Sequence, residues 1–337
     1  MTDDQRDPVE KRLGDRYDLY DVATWEARSR LDVFSVQLTG ALRTTRRWLL
    51  ILVAGVLFLG QLAIAGLLIA EEPVLGVLGL ISVVPALALA GYFWYGDPDR
   101  REPLELLAAT FILSVLFASF ASVVNTVFFP LFALFGVVGL PLFFFLVVAP
   151  IEETVKWLAI RVHAYRDESF SVVVDGVVYG AVAGLGFAAI ENLVYIINVY
   201  LETADAGVSA QLGSVIDTTY LRAFVGPGHV IYSAFAGYYL GLAKFNPENR
   251  GPIVVKGLVL AAVIHALYNS LVTLLPLTGL TFVVFVVAYD GIWFAVLYRK
   301  VSRYKSLYAE ADRTGDEPSP GASRSALSTA DTSDSER

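Results

Sequence analysis

The stretch LELLAATFILSVLFASFASVVNTVF, residues 104–128, decides the fold, because its 25 consecutive positions carry one charged side chain, Glu105. Rising about 1.5 Å per residue, roughly 20 such residues cross the ~30 Å hydrocarbon core of a bilayer as a helix, which also satisfies its own backbone hydrogen bonds there. Seven further runs of the same kind lie at about 48–70, 74–95, 131–157, 176–200, 220–244, 253–275 and 279–299. The expected fold is all-α: a polytopic membrane helix bundle of about eight transmembrane helices.

Composition agrees with this reading. Of 337 residues 56% are hydrophobic, 17% are charged and none is cysteine. The charges gather at the ends. Residues 1–47 hold nine Lys/Arg and nine Asp/Glu, and residues 301–337 are rich in Ser, Asp, Glu and Ala. The chain thus divides into a cytoplasmic leader (1–47), a membrane domain (48–300) and a cytoplasmic tail (301–337) too poor in apolar residues to bury a core and expected to be disordered. Within the leader, residues 17–42 mix apolar and charged positions, as either an interfacial helix or a plain linker would. Cationic loops stay on the cytoplasmic side. With the N-terminus inside, 24 of the 25 basic residues fall on that side and only Arg222 outside. Both termini are expected to be cytoplasmic, in a multi-pass protein of the cell membrane.

Lack of cysteine excludes disulfides, iron–sulfur clusters, thiolate zinc sites and a cysteine nucleophile. No Gly-rich phosphate loop occurs, and no nucleic-acid partner is expected. Chemistry must therefore come from oxygen and nitrogen groups, and an ionisable side chain inside a bilayer is costly enough that it usually faces a bundle interior and serves a function.

Few side chains meet that description. Pro150-Ile151-Glu152-Glu153-Thr154-Val155-Lys156 places two adjacent carboxylates on the fourth span. Helical spacing puts Glu152 and Lys156 on one face, where they can pair, and rotates Glu153 away by about 100°. On the fifth span Glu191 follows about a dozen apolar residues, with Gly180, Gly184 and Gly186 letting a neighbouring helix come close. His229 and His265 lie on the sixth and seventh spans, and His265 shares a face with Asn269 four residues on, a pattern suited to one active group and one orienting group. His163 falls in a loop and is expected to be an ordinary surface residue. Asp290 lies near the middle of the last span with no assigned role, and Asp175 is expected to be a helix N-cap.

Two hydrolytic routes suit these groups. Glu and neutral His can hold Zn²⁺ and leave a position open for water, or a Glu can activate water directly while His and Asn stabilise the oxyanion without a metal. Neither the zinc-protease pattern H-E-x-x-H nor the elbow G-x-S-x-G is present, and G-x-G-D of presenilin-like aspartyl proteases is also absent. Pairing of Asp175 with Asp290 is therefore a minor route. The alternative class is an ion- or proton-coupled membrane transporter, in which the same groups relay protons or bind an ion.

Four pieces in order, Glu152-Glu153-x-x-Lys156, Phe187-x-x-x-Glu191-Asn192, His229 with Gly237 and Gly241, and His265-x-x-x-Asn269, make the chain resemble the PrsW intramembrane proteases. These are relatives of the CAAX prenyl endopeptidase and bacteriocin-processing superfamily, and the likeness covers roughly residues 90–300. Where the wider superfamily usually has His at the end of the second motif, Glu191 stands here, as in the PrsW branch. The resemblance implies a membrane-embedded peptidase that cuts membrane-anchored proteins, in some members during regulated proteolysis of a signalling regulator. It implies Glu152 or Glu153 as water activator, Glu191, His229 and His265 as metal ligands or oxyanion stabilisers, and Asn269 as orienter. Zinc and a metal-free glutamate mechanism both remain open.

Overall fold

The computed structural model describes residues 27–28, 30–96 and 102–316. Two compact units divide the chain, Met1–Leu57 and Phe58–Arg337. The first contributes the start of helix α1 (Arg30–Glu71), so part of the expected leader is helical, while residues 1–26 lie outside the described residues. The second unit holds α2 (Pro73–Tyr95), α3 (Leu104–Ala133), a short α4 (Gly139–Phe143), α5 (Ala149–Arg161), α6 (Asp175–Glu202), α7 (Val208–Lys244), α8 (Arg250–Leu274) and α9 (Gly279–Asp316). No strand occurs among the described residues.

Among the described residues, six segments are long and apolar enough to cross a membrane: Pro73–Tyr95, Leu104–Ala133, Gly136–Arg161, Asp175–Glu202, Pro247–Leu274 and Gly279–Leu307. Their outward faces carry exposed Leu80, Leu87, Val127, Val259 and Leu280, which only a lipid environment accommodates in such number. Several bounds differ from those expected. α3 runs through Pro130 to Ala133, α7 begins at Val208 rather than 220, and α9 continues to Asp316 through a charged stretch that hydropathy alone would end at 299. Residues 317–337 of the expected tail lie outside the described residues. α7 is not among the six because Asp217, Arg222, Pro227 and His229 interrupt its apolar run.

α6 is central: 67% of its span is buried, against 22–39% for the other five. Lipid tails are as apolar as leucine, so helices in a bilayer gain by close packing and interhelical hydrogen bonds rather than by leaving water. The α6–α7 contact shows this. Gly176, Gly180 and Gly184, one turn apart, face the backbone carbonyls of Gly237, Ser233 and His229, where a Cβ on any of them would collide. Gly186 turns to α3, with a Cβ position 2.6 Å from the Phe111 carbonyl, and Ser114 Oγ of that helix donates to the Ala183 carbonyl at 2.6 Å. α7 is in turn packed against α2, α8 and α9.

Between α4 and α5 lies a π-turn, Phe144–Val148. Pro150 has no N–H to give the carbonyl four residues back, so regular α-helical bonding is interrupted just before the two glutamates.

Adding one methyl group to the α6–α7 seam should force the helices apart. Gly237→Ala is expected to cost about 1–3 kcal/mol, and Gly213→Ala, with nothing within 4 Å, to cost nothing; thermal unfolding in detergent measures both.

Candidate active site

Helices α3, α5, α6, α7 and α8 surround a cavity of about 650 Å³ lined by Asn125, Glu152, Glu191, Arg222, His229, Tyr232, His265 and Asn269, among others. Glu153 and Lys156, a turn apart on α5, lie behind it and are fully buried.

The expected pairing on α5 is corrected by the structure. Lys156 Nζ bonds Glu153 Oε1 at 2.7 Å, an i,i+3 pair, rather than Glu152 four residues back. Both spacings are within reach on a helix, and the side facing the bundle interior decides between them. A buried ion pair is tolerated only when its remaining groups are satisfied, and these are. Glu153 Oε1 also meets His265 Nδ1 at 2.9 Å, and its Oε2 accepts from Ser233 Oγ at 3.2 Å. Lys156 Nζ further donates to His229 Nδ1 at 3.0 Å and sits 4.2 Å above the Phe187 ring.

Those contacts set the tautomers of both histidines. A carboxylate only accepts, so His265 Nδ1 carries the hydrogen and Nε2 keeps its lone pair. An ammonium only donates, so His229 Nδ1 accepts and Nε2 carries the hydrogen, which it gives to Glu191 Oε2 at 2.9 Å. Glu191 is also ion-paired to Arg222, whose Nε donates to Asn192 Oδ1 at 2.8 Å and whose guanidinium lies over the Tyr195 ring at 4.4 Å. Asn192 ties this group to α2 through the Ser82 carbonyl at 3.2 Å.

Glu152 stands differently from its neighbour. Its Oε1 accepts from Asn125 Nδ2 at 3.1 Å, while Oε2 is buried with no hydrogen-bond partner among the described residues. His265 Nε2 lies 3.8 Å from that oxygen, too far for a hydrogen bond. A carboxylate oxygen and an imidazole lone pair thus face each other across 3.8 Å, a spacing suited to sharing a cation, a proton or a bridging water.

One atom each from Glu152, His229 and His265 lies within 4.8 Å of the others, a buried carboxylate–imidazole set suited to a metal ion. Of the ligands expected from sequence, Glu191, His229 and His265, the two histidines belong to this group. Glu191 instead holds Arg222 and His229, and Glu152 contributes the carboxylate. Because His229 Nδ1 accepts from Lys156 and Nε2 carries the hydrogen given to Glu191, His229 would hold a metal only after a change of its protonation. Asn269 lines the cavity one turn past His265, but the ring's orienting partner is Glu153.

Other expectations resolve in the same way. His163 is exposed, as anticipated. Asp175 accepts from the backbone N–H groups of Ser171 and Val172, so it secures the preceding loop rather than capping its own helix. Asp290 accepts from the Tyr232 hydroxyl at 3.0 Å, so the two aspartates have separate partners and form no dyad. Sequence reasoning missed Asn125, Ser233 and Tyr232, whose uncharged side chains raise no alarm in an apolar run. Arg222 was traceable, because it precedes His229 by seven residues and so shares its face.

Comparison with known proteins supplies the family of the chain. A family profile described as "PrsW family intramembrane metalloprotease" matches residues 102–293. The chain is 30% identical to Protease PrsW of Geobacillus kaustophilus over 225 residues, 66% of this chain and 90% of the relative. It is 28% identical to Protease PrsW of Bacillus subtilis over 58% of this chain and 82% of the relative, and 25% identical to that of Clostridioides difficile over 56% and 76%. No solved structure matches the chain. The glutamate- and histidine-lined cavity and these relatives agree on a peptidase in place of a transporter, and the chain belongs to the PrsW family of intramembrane metalloproteases, as a multi-pass membrane protein.

Proposed function

We propose that the chain cuts membrane-anchored proteins at the cavity, with Glu152 as the group that activates water. The observation that carries this is the unpartnered Glu152 Oε2 on the cavity wall, 3.8 Å from His265 Nε2. Asn125 holds the other carboxylate oxygen and so turns Oε2 toward the substrate space. Glu152 takes a proton from water as the water oxygen bonds the scissile carbonyl carbon. When the C–N bond breaks, that proton passes to the leaving amine. On the metal-free route, the guanidinium of Arg222 and the Nε2–H of His229, turned from Glu191, would steady the negative carbonyl oxygen. Glu153 and Lys156 act from behind, holding the two imidazoles in opposite tautomers.

On the metal route, Glu152, His229 and His265 would instead hold the ion, with Glu152 a ligand rather than the free base, and the donor set suits Zn²⁺. A bound Zn²⁺ polarises the scissile carbonyl and lowers the pKa of water. The substrate class we favour is a single-span or lipid-anchored protein, such as a signalling regulator released by proteolysis, because the cavity is lined by residues of membrane-spanning helices. We also place eight spans in the bilayer, adding the apolar part of α1 and the enclosed α7 to the six, with both termini cytoplasmic. The distribution of basic residues supports this orientation.

Three measurements test this reading. In proteoliposomes carrying a quenched fluorescent reporter with one transmembrane helix, Glu152→Gln should lower cleavage by about 10²-fold or more; near-normal cleavage would remove Glu152 from the chemistry. Elemental analysis should find about one zinc per chain in the purified protein, fewer after His265→Ala, and a chelator should abolish cleavage until Zn²⁺ is restored. Persistence of activity in metal-free protein favours the glutamate route instead. Because the chain has no cysteine, single cysteines at positions 20 and 330 report topology cleanly, and both should react with an impermeant thiol reagent only from the cytoplasmic side.

A further inference from the structure

Asp290 is 7% exposed within α9, a helix that gives no other charged group to the interior around the cavity. Its Oδ1 accepts from the Tyr232 hydroxyl at 3.0 Å. Tyr232 follows His229 by three residues on α7, is 2% exposed and lines the cavity. Its ring lies against the His265 imidazole, with centroids 5.5 Å apart and planes at 33°. Two details indicate that this arrangement is held in place. Tyr289, next to Asp290, donates to the Ile264 carbonyl at 2.7 Å and so locks α9 to α8 beside His265. At Gly228, a Cβ would come 2.7 Å from the Tyr232 hydroxyl and 3.2 Å from Asp290 Oδ1, so the glycine before His229 leaves the space that the pair occupies.

His265 has one strong tether, the Nδ1 bond to Glu153. A single hydrogen bond fixes a point and leaves the ring free to swing about the N···O line. The His229 ring meets it edge-on at 83°, and Tyr232 covers its face. An unanchored tyrosine would shift with the imidazole rather than hold it. We propose that Asp290 is a positioning residue of the hydrolytic centre, acting through the Tyr232 hydroxyl to hold the His265 ring so that Nε2 faces Glu152. This rests on the assignment of His265 to that centre.

The test is a double-mutant cycle on the membrane-anchored reporter, with rates taken per folded molecule and thermal unfolding recorded for each variant. Tyr232→Phe and Asp290→Leu should each lower kcat by about tenfold with KM unchanged, the size expected when a reacting group drifts by a fraction of an ångström. Together they should also lower it by about tenfold, because both remove the same hydrogen bond. Asp290→Asn keeps a carbonyl acceptor and should recover most of the loss seen with Asp290→Leu. If Asp290→Leu does not fold, Tyr232→Phe combined with Asp290→Asn should lose no more than Tyr232→Phe alone. Losses that multiply, an Asn variant no better than Leu, or unchanged kcat in all variants would overturn the proposal. His265→Ala separates the two levels: its inactivity beside fully active Tyr232→Phe defeats only the positioning role, whereas its full activity defeats the reading of the site.

Discussion

Everything around the cavity depends on the buried ion pair of Lys156 and Glu153. Removing two charges from water costs several kcal/mol per ion even after relaxation, and their mutual attraction offsets this only when every remaining donor and acceptor is used. Here both Glu153 oxygens and the Lys156 ammonium are engaged, through Ser233, His265, His229 and the face of Phe187. The arrangement also does something that an apolar replacement cannot. Lys156 has only hydrogens to give and Glu153 only lone pairs, so one pair imposes opposite tautomers on two histidines. His229 presents an N–H to the Glu191 side and His265 a lone pair to the Glu152 side.

The close seam of α6 and α7 makes this geometry attainable. Gly184 meets the His229 carbonyl and Gly180 the Ser233 carbonyl, so the glycines sit opposite two of the residues that reach the ion pair and its imidazoles. Phe187 and Glu191, four apart on α6, share a face and both touch His229. The seam is packed without side chains because side chains would hold α7 too far from α5 for the hydrogen bonds to close.

Apolar runs of about 20 residues were enough to read the all-helical membrane character from sequence, since hydrocarbon thickness and backbone hydrogen bonding leave few options. Helix bounds were less legible where packing rather than hydropathy sets them, as at the start of α7 and the end of α9. The charged members of the site stood out because their burial is costly. Their pairing did not, since Glu152 and Glu153 both lie within reach of Lys156 and only the direction of the bundle interior distinguishes them. Asn125, Ser233 and Tyr232 stayed hidden for the complementary reason: a short neutral polar side chain in a membrane helix can bond its own backbone, and a tyrosine reads as one more aromatic, so their presence carries little information. Thr110 does so, donating to the Leu106 carbonyl at 2.8 Å.

Two adjacent glutamates could be redundant, but a helix turns them about 100° apart, and that rotation separates their duties. Glu153 points inward, where one lysine, one histidine and one serine consume its oxygens. It is fully buried, with both oxygens bonded within the bundle. Glu152 points to the cavity with a single amide donor from Asn125, so one oxygen keeps an unmet demand for a proton, a cation or water. In a low-dielectric site that demand is strong. With the Lys156 ammonium already bonded to Glu153, and no partner for Glu152 Oε2 among the described residues, that oxygen is left to a metal ion, a water molecule or the proton of a reacting one. The inner carboxylate is thereby engaged within the bundle, which is why the proposed water-activating role falls to the outer one.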